Sequence, residues 1–189
     1  MKTVNAIEII KIQVNEYHLH LPGGEKILVR PVCPEDRACL LQGFRQLSPQ
    51  SKRFRFLSSL KRLPEPYLSY LTEIDNVNHV AWGAKDLDHD LMGVGVGRYI
   101  RLEEEPQSAE MALTVLDAYQ RKGIGSVLFS FLIRSALENG ITRFRGYFNR
   151  ENQALLALLR RYQPRIIKEH SPVWQLEVDL KPEYIAGLV

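Results

Sequence analysis

Residues 109–128, AEMALTVLDAYQRKGIGSVL, constrain the fold of this chain more than any other segment. They predict an apolar strand, a short turn, and a loop with two glycines that leads directly into a helix. The first N–H groups of a helix lack intrahelical partners and lie at the positive end of its dipole, and glycines let a ligand approach the backbone closely. The segment therefore predicts a site for an anionic, phosphate-bearing cofactor.

The glycine loop differs from the two common nucleotide-binding motifs. Gln120, Gly123 and Gly125 form the pattern Q-x-x-G-x-G. No Gly-Lys-Ser/Thr follows, as a P-loop requires, and a dinucleotide-binding motif would need glycine where Leu128 stands. The pattern alone also fits an ordinary helix start. Its position directly after a strand is what favours a phosphate site.

Glu110 is a carboxylate within the otherwise apolar strand before the loop. Strand alternation places it on the same face as Ala112 and Thr114, opposite Met111 and Leu113. A poorly solvated carboxylate has a raised pKa and can accept a proton near neutral pH, so Glu110 is a candidate general base. A solvated glutamate, or one paired with an arginine, is the alternative, and the pattern favours neither.

The remaining sequence alternates between strand and helix patterns, which predicts an α/β (α+β) fold with a mixed sheet. No internal repeat is present. The predicted strands are residues 26–32, 77–85, 91–102, 109–115, 142–148, 165–168 and 173–180, and the predicted helices begin near Pro34, Pro49, Pro64, Ile124 and Glu151.

Three other segments carry more specific expectations. Gly93, Gly95 and Gly97 alternate with valines, so we expect one strand face without side chains, suited to close packing. The β-branched run at 7–12 predicts either an extra strand or an arm that contacts a second copy of the chain. Residues 52–56 alternate basic and aromatic side chains. On a helix this favours a face that covers a cleft over a surface that binds nucleic acid.

Composition excludes several classes of protein. A chain of 189 residues with 45% hydrophobic content fits one soluble domain, and a net charge of +3 does not favour nucleic acid as a partner. No apolar run reaches the roughly 20 residues of a membrane span, and no signal peptide is evident, so we expect a cytoplasmic protein. The spacing of the two cysteines and five histidines predicts no metal site.

Five segments resemble known sequences. The Q-x-x-G-x-G loop after a strand resembles the motif of the GNAT superfamily of N-acetyltransferases. Further segments, in the same order as in that family, resemble its bacterial protein-lysine acetyltransferase (Pat) branch. They are LVRPVCPED at 28–36, LSPQSKRFRF at 47–56, AEMALTV at 109–115 and ENQALL at 151–156.

The resemblance implies a GNAT-like fold, with a mixed, mostly antiparallel central sheet flanked by helices on both faces. It implies one acetyltransferase domain at residues 25–189, preceded by an extension at 1–24. The implied reaction is acetyl transfer from acetyl-CoA to a primary amine, favouring a protein lysine over a small-molecule amine. An oligomer is compatible with the sequence, and no metal is implied.

The resemblance also assigns roles to residues. Glu110 would be the general base, and the N–H group of Val115 would polarise the thioester carbonyl. The pantetheine arm would pair with residues 113–115, the pyrophosphate would bind the backbone of residues 121–126, and Asn152 would contact the cofactor from the facing helix. The implied cofactor-binding residues are Leu113, Thr114, Val115, Arg121, Lys122, Gly123, Ile124, Gly125, Ser126 and Asn152.

One position departs from the family pattern. Many of these enzymes carry a tyrosine seven residues after the asparagine, as the acid that protonates the departing thiolate, and Leu159 stands there. Tyr162 lies about a quarter-turn away on an ideal helix. Water can replace the acid, because a thiolate is a tolerable leaving group. The alternative is a non-catalytic module that binds acyl-CoA as a sensor.

Overall fold

The computed structural model describes residues 7–58, 60–90, 92–167 and 172–186. In these ranges nine strands form one sheet in the order β1-β2-β3-β4-β5-β6-β7-β9-β8. The strands are β1 (Glu8–Gln13), β2 (Glu16–His20), β3 (Lys26–Pro31), β4 (His79–Asp86), β5 (Met92–Arg101), β6 (Ser108–Val115), β7 (Arg143–Asn149), β8 (Arg165–Ile167) and β9 (Val173–Asp179). All neighbours are antiparallel except β6 and β7, which are parallel. The predicted mixed, mostly antiparallel sheet is therefore confirmed.

Five α-helices accompany this sheet in the described ranges. Three lie between β3 and β4 in the chain, one follows the glycine loop, and one follows β7. None is long and apolar enough to span a membrane. The helices are α1 (Arg37–Gln46), α2 (Pro49–Phe56), α3 (Glu65–Thr72), α4 (Ile124–Glu138) and α5 (Gln153–Leu159).

Two neighbouring residues of β5 establish that helices cover both faces of the sheet. The Tyr99 hydroxyl donates to the carbonyl of Ser135 in α4 at 3.3 Å, and Arg98 Nη1 donates to the carbonyl of Leu71 in α3 at 3.2 Å. Successive strand residues point to opposite faces, so α4 and α3 lie on opposite sides. We call these sides the α4 face and the α1–α3 face.

The α4 face holds the main core. Phe131 of α4 is fully buried, and its ring lies 4.6 Å from the rings of both Trp82 and Tyr17. A smaller core of Phe44 and two buried leucines lies on the α1–α3 face. Tyr17 belongs to β2, so a strand within the predicted extension at 1–24 packs into the main core.

The run at 7–12 supplies an extra strand, one of the two alternatives left open by the sequence. β1 pairs with β2 from Glu8 opposite His20 to Gln13 opposite Glu16. β2 in turn pairs with β3, so these first two strands extend the sheet at one edge.

The expectation of one glycine face on β5 is wrong. The pairing with β4 shifts by one residue, because Gly95 lies opposite Ala84 and Gly93 opposite the adjacent Lys85. Val94 is therefore an extra residue that reverses the alternation. Gly93 lies against Cys39 of α1, whereas Gly95 and Gly97 lie against leucines of α4. The bulge gives each helix layer its own close contact with the strand.

Candidate active site

The parallel strands β6 and β7 separate soon after they meet. Their ladder has three residue pairs, from Ser108 opposite Arg143 to Glu110 opposite Arg145. The pairing of β5 with β6, in contrast, continues to Val115. The last residues of β6 therefore have a strand partner on one side and a gap on the other.

Backbone hydrogen bonds show which residues of β6 face this gap. Leu102 N–H donates to the Ser108 carbonyl, and Leu116 N–H donates to the Val94 carbonyl. Even-numbered residues of β6 therefore bond toward β5, and odd-numbered residues direct their backbone groups toward β7. Leu113 and Val115, two predicted cofactor-binding residues, thus present backbone groups to the gap.

The glycine loop begins α4 beside this gap. Gly123 adopts a positive φ of 89°, as does Arg121 at 59°, and α4 starts at Ile124. Within the described chain no N–H group of residues 121–125 donates to a backbone or side-chain acceptor. The N–H of Ser126 donates to the Gly123 carbonyl at 3.0 Å. Five successive N–H groups therefore remain open to an anion at the start of a helix.

The structure brings the loop and the strand residues together. A Cβ added at Gly125 would lie 3.6 Å from the Leu113 side chain, 3.8 Å from that of Val115 and 3.1 Å from that of Leu158 in α5. Gln120 Nε2 donates to the Val115 carbonyl at 3.1 Å, which ties the strand end to the loop. The first residue of the Q-x-x-G-x-G pattern therefore has a structural role.

The N-terminal part of the chain also contacts the loop, which the sequence did not indicate. Lys122 Nζ lies 2.5 Å from a carboxylate oxygen of Glu25, and this hydrogen bond lowers the pKa of Glu25. A Cβ on Gly123 would collide with the Ile7 side chain. Lys122 is thus engaged by a carboxylate in the structure, while the exposed Arg121 has no such partner among the described residues.

Residues from α1–α3 position the segment before the loop. Asp117 accepts hydrogen bonds from the hydroxyls of Ser48 at 2.9 Å and Ser51 at 2.8 Å. Ser48 also caps α2 by accepting from the N–H of Ser51. Burial of Asp117 opposes its ionisation, but these hydrogen bonds lower its pKa. The LSPQS segment therefore joins α2 to the strand-loop-helix unit.

Asn152 lies at the start of α5. Its Oδ1 accepts from the Leu155 N–H at 3.1 Å and caps the helix. Leu159, at the position of the expected tyrosine, is fully buried. Tyr162 is also buried, with its ring 4.8 Å from Phe129 of α4. Neither the Leu159 nor the Tyr162 side chain is exposed to a solvent-filled cleft.

Glu110 lies on the α1–α3 face. It is opposite Ile100 in the β5 ladder, two pairs along from Arg98 opposite Ala112. The flanking Ala109 and Met111 are buried toward α4, which confirms the alternation predicted for the strand. The Glu110 side chain is exposed, which corresponds to the solvated alternative of the two left open by the sequence. The carboxylate of Glu110 is therefore accessible to solvent.

A pocket opens between the sheet and α1–α3 on the same face. It contains about 740 Å³ of empty space, counting its mouth, and its lining is mostly apolar. Arg55 of α2, Arg98 of β5 and Thr114 of β6 are among its polar lining residues. The side chain of Thr114 therefore faces the pocket, whereas the backbone of its neighbours faces the gap beside β7.

The sequence prediction missed Arg55 and Arg98 as site residues. Arg55 was expected only as part of an amphipathic helix that covers a cleft. Lys52 and Arg53 on the same helix have other partners: Lys52 lies over the Phe44 ring, and Arg53 pairs with Glu151 at 2.7 Å. Arg98 could have been recognised by the argument applied to Glu110, since a charge within an apolar strand requires a reason.

Comparisons with known proteins agree with this geometry. The model of the acetyltransferase (GNAT) family matches residues 44–163. An acetyltransferase of Pseudomonas aeruginosa is 35% identical over 136 residues, which cover 71% of this chain and 73% of that protein.

Two further relatives belong to the Pat group by name. Acetyltransferase Pat of Mycolicibacterium smegmatis is 32% identical over 161 residues, 84% of this chain, and the chain spans 47% of that protein. The crystal structure of the GNAT domain of S. lividans PAT superposes with a TM-score of 0.80 at 26% identity, covering 90% of this chain and 99% of that domain. Together with the strand-loop-helix unit, these matches show that the chain belongs to the GNAT family of acetyltransferases, which use acetyl-CoA as the acetyl donor.

Proposed function

We propose that this enzyme acetylates a primary amine by direct attack of the amine on acetyl-CoA, with Glu110 as the general base. The observation that carries the proposal is the position of Glu110, exposed on β6 only a few residues before the backbone groups of Leu113 and Val115 that face the gap. An acetyl group held along those residues would lie within the same cleft as the carboxylate. Residues 25–189 form the catalytic domain in this proposal, and residues 1–24 form its extension.

The cofactor would be held mostly by backbone groups. The pantetheine arm would occupy the gap beside β6, where Leu113 N–H and C=O and Val115 N–H serve as strand-like partners. The pyrophosphate would bind the open N–H groups of residues 121–125, and Arg121 would add a positive charge. Asn152 would use its Nδ2 group, because its Oδ1 caps α5.

The reaction needs a free amine, because an ordinary lysine with a pKa of about 10.4 is almost entirely protonated at pH 7. Glu110, directly or through water, would accept the proton. The amine nitrogen would then bond to the thioester carbon, and the oxyanion would accept a hydrogen bond from Val115 N–H. Cleavage of the C–S bond would release the CoA thiolate, which solvent would protonate, since Leu159 cannot donate a proton.

A protein lysine is the acceptor favoured by the likeness to Pat. A small-molecule amine is the second candidate, and a specific observation favours it. The pocket next to Glu110 is lined by two arginines, of which Arg98 is only 3% exposed. A flat protein surface cannot reach a group at that depth.

The proposal is tested by measuring CoA release from acetyl-CoA with a panel of amines, for the parent enzyme and for Glu110→Gln. We expect the variant to lose most of its kcat while its affinity for acetyl-CoA, measured by calorimetry, stays within about twofold. Equal kcat values for both proteins would remove Glu110 from the role of general base.

A further inference from the structure

Arg98 is buried without a counter-ion. No carboxylate in the described part of the chain lies within 4.0 Å of it, and its Nε is buried without a hydrogen-bond partner. Its Nη1 donates to the Leu71 carbonyl at 3.2 Å and contacts Nε2 of His79 at 3.0 Å. Burial and the charge of Arg98 lower the pKa of His79 to about 4, so the imidazole is neutral and can accept this hydrogen bond. Among the described residues, the Arg98 guanidinium therefore has no anion within ion-pair distance.

Arg55 adds a second cation to the same pocket. It makes no hydrogen bond or ion pair within the described ranges, and its guanidinium lies 5.2 Å from the centre of the Phe56 ring. Burial lowers the pKa of Arg55, with Tyr67 and Glu110 acting in the opposite direction. Burial and the Arg55 charge together lower the pKa of Arg98. Two like charges in an apolar pocket disfavour each other, and an anion between them would relieve both costs.

Thr114 provides a third unsatisfied group. Its Oγ1 is buried and makes no hydrogen bond to any described residue. Buried polar groups in folded proteins nearly always have partners, so the open Arg98 Nε and Thr114 Oγ1, beside an Arg55 without an ion pair among the described residues, indicate a missing polar ligand. Asp36 and Lys85 also line the pocket, but their charged groups are not open, because they pair with each other at 2.5 Å.

We propose that Arg55 and Arg98 bind the anionic group of a small acceptor amine, so that the acceptor is an amino acid or a similar amino carboxylate. The inference rests on the proposed amine acetylation and names the substrate class. Glu110 lies on the same face as Arg98 and two ladder pairs away, so a carboxylate on Arg98 would place an amine a few bonds distant near Glu110. A lysine side chain that entered the pocket would bring its ammonium group toward two cations.

The first test compares substrates and needs no variant. CoA release is measured with the standard L-amino acids, each paired with its carboxamide, and with a lysine-containing peptide. At least one amino acid should exceed its carboxamide about tenfold or more in kcat/KM, with the difference mainly in KM. The amine of a carboxamide is less basic, so chemistry alone would favour the amide. Equal values for every pair, or acetylation of the peptide alone, would overturn the inference.

The second test compares arginine variants. Arg55→Gln should raise KM for the preferred amino acid about tenfold, leave KM for its carboxamide unchanged, and be partly rescued by Arg55→Lys. Arg45→Gln is the matched control, since it removes an exposed cation from α1 and should leave both KM values unchanged. Arg98→Gln should behave like Arg55→Gln where circular dichroism shows a folded protein. Equal KM increases for acid and amide would indicate a structural role and contradict the inference.

Binding separates failure of the inference from failure of the proposed reaction. Calorimetric titration of the CoA-saturated protein with the amino-acid panel should give binding that Arg55→Gln weakens, whether or not turnover occurs. No binding by any of them would overturn the inference. If Glu110→Gln still abolished acetylation of the peptide in that case, the proposed acetyl transfer would stand while the amino-carboxylate acceptor would not.

Discussion

The two faces of the sheet are built differently. On the α4 face, aromatic and aliphatic side chains of α4 fill the space against β4, β5 and β7, and Phe131 and Phe129 are fully buried. On the α1–α3 face, the core is small and a pocket reaches the sheet. Buried hydrophobic area stabilises folds, whereas an open pocket with uncompensated charge costs stability. The difference indicates that stability is concentrated on the α4 face, whereas the proposed chemistry lies on the α1–α3 face.

The sharpest test of this division is Glu110→Gln on the α1–α3 face. General base catalysis typically contributes a factor of about 10² to 10⁴, so kcat should fall by that amount. Because Glu110 is exposed and makes no ion pair among the described residues, the free energy of unfolding should change by less than about 0.5 kcal/mol. Urea denaturation and steady-state kinetics measure both. A large loss of stability in Glu110→Gln would contradict the separation of stability and chemistry between the two faces.

Phe131→Ala is the complementary change on the α4 face. Removing a fully buried ring that stacks on Trp82 should cost about 3–5 kcal/mol of unfolding free energy. Phe44→Ala, on the smaller core, should cost less because its ring borders the pocket and the site can relax. Urea denaturation of the two variants measures this difference. Equal costs would show that the two cores contribute alike to stability.

Asp36 is an exception that sharpens the comparison, because it is a buried charge on the α1–α3 face that does stabilise the fold. Arg30 donates to it at 2.7 and 2.9 Å, and Lys85 lies at 2.5 Å. Burial opposes its ionisation, but these partners lower its pKa from 3.8 to about 2. The carboxylate therefore contributes about 2 kcal/mol at neutral pH, which is lost as the pH falls from about 5 toward 2.

Asp36→Asn should accordingly lower the free energy of unfolding by about 2 kcal/mol at pH 7, and by about half as much at pH 3. Urea denaturation at the two pH values measures the difference. Asp75→Asn is the comparison, because Asp75 also has a pKa of about 2 but obtains it from backbone and Asn78 hydrogen bonds in an exposed turn. A pH-independent cost of Asp36→Asn would contradict the ion-pair explanation.

Gly123→Ala should have the smallest effect. A φ of 89° is unfavourable for alanine, and the added methyl would displace the Ile7 side chain, so we expect a loss of about 1 kcal/mol in stability and a fewfold weaker affinity for acetyl-CoA. Gly140→Ala is the matched control. Its φ is 73°, but nothing lies within 4 Å of the added methyl and the residue is remote from the loop, so only stability should change. Unchanged cofactor affinity in Gly123→Ala would argue against the loop as the phosphate site.

Local patterns predicted the fold well because each element has its own sequence signal. The strand at Glu110, the glycine loop and α4 all lie within a residue or two of their predicted positions, and the resemblance to the GNAT family supplied the mostly antiparallel sheet. The glycine face of β5 was predicted wrongly, because a bulge at Val94 depends on pairing with β4 and has no local signal.

The site was predictable to the extent that it consists of contiguous backbone. Residues 113–115 and 121–126 do lie at one junction. The pocket was not predictable, because Arg55 and Arg98 are 43 positions apart in the sequence and meet only through the packing of α2 onto the sheet. The sequence left open whether Glu110 is solvated, since its exposure depends on the packing of other elements around the strand.

The short ladder between β6 and β7 has a mechanical consequence. Three residue pairs join a block of six strands to a block of three, so the nine-stranded sheet is interrupted along one line. The contact of Leu158 with Gly125 and the pairing of Arg53 with Glu151 also cross this line. Thermal fluctuations should concentrate at such a weakly joined boundary. The amide proton of Tyr147, which lies past the last β6–β7 pair and points toward β6, should exchange with solvent sooner than those between β4 and β5. A molecule that bridged the two blocks would stiffen the whole protein. The rigidity of the protein would therefore indicate whether the gap between β6 and β7 is occupied.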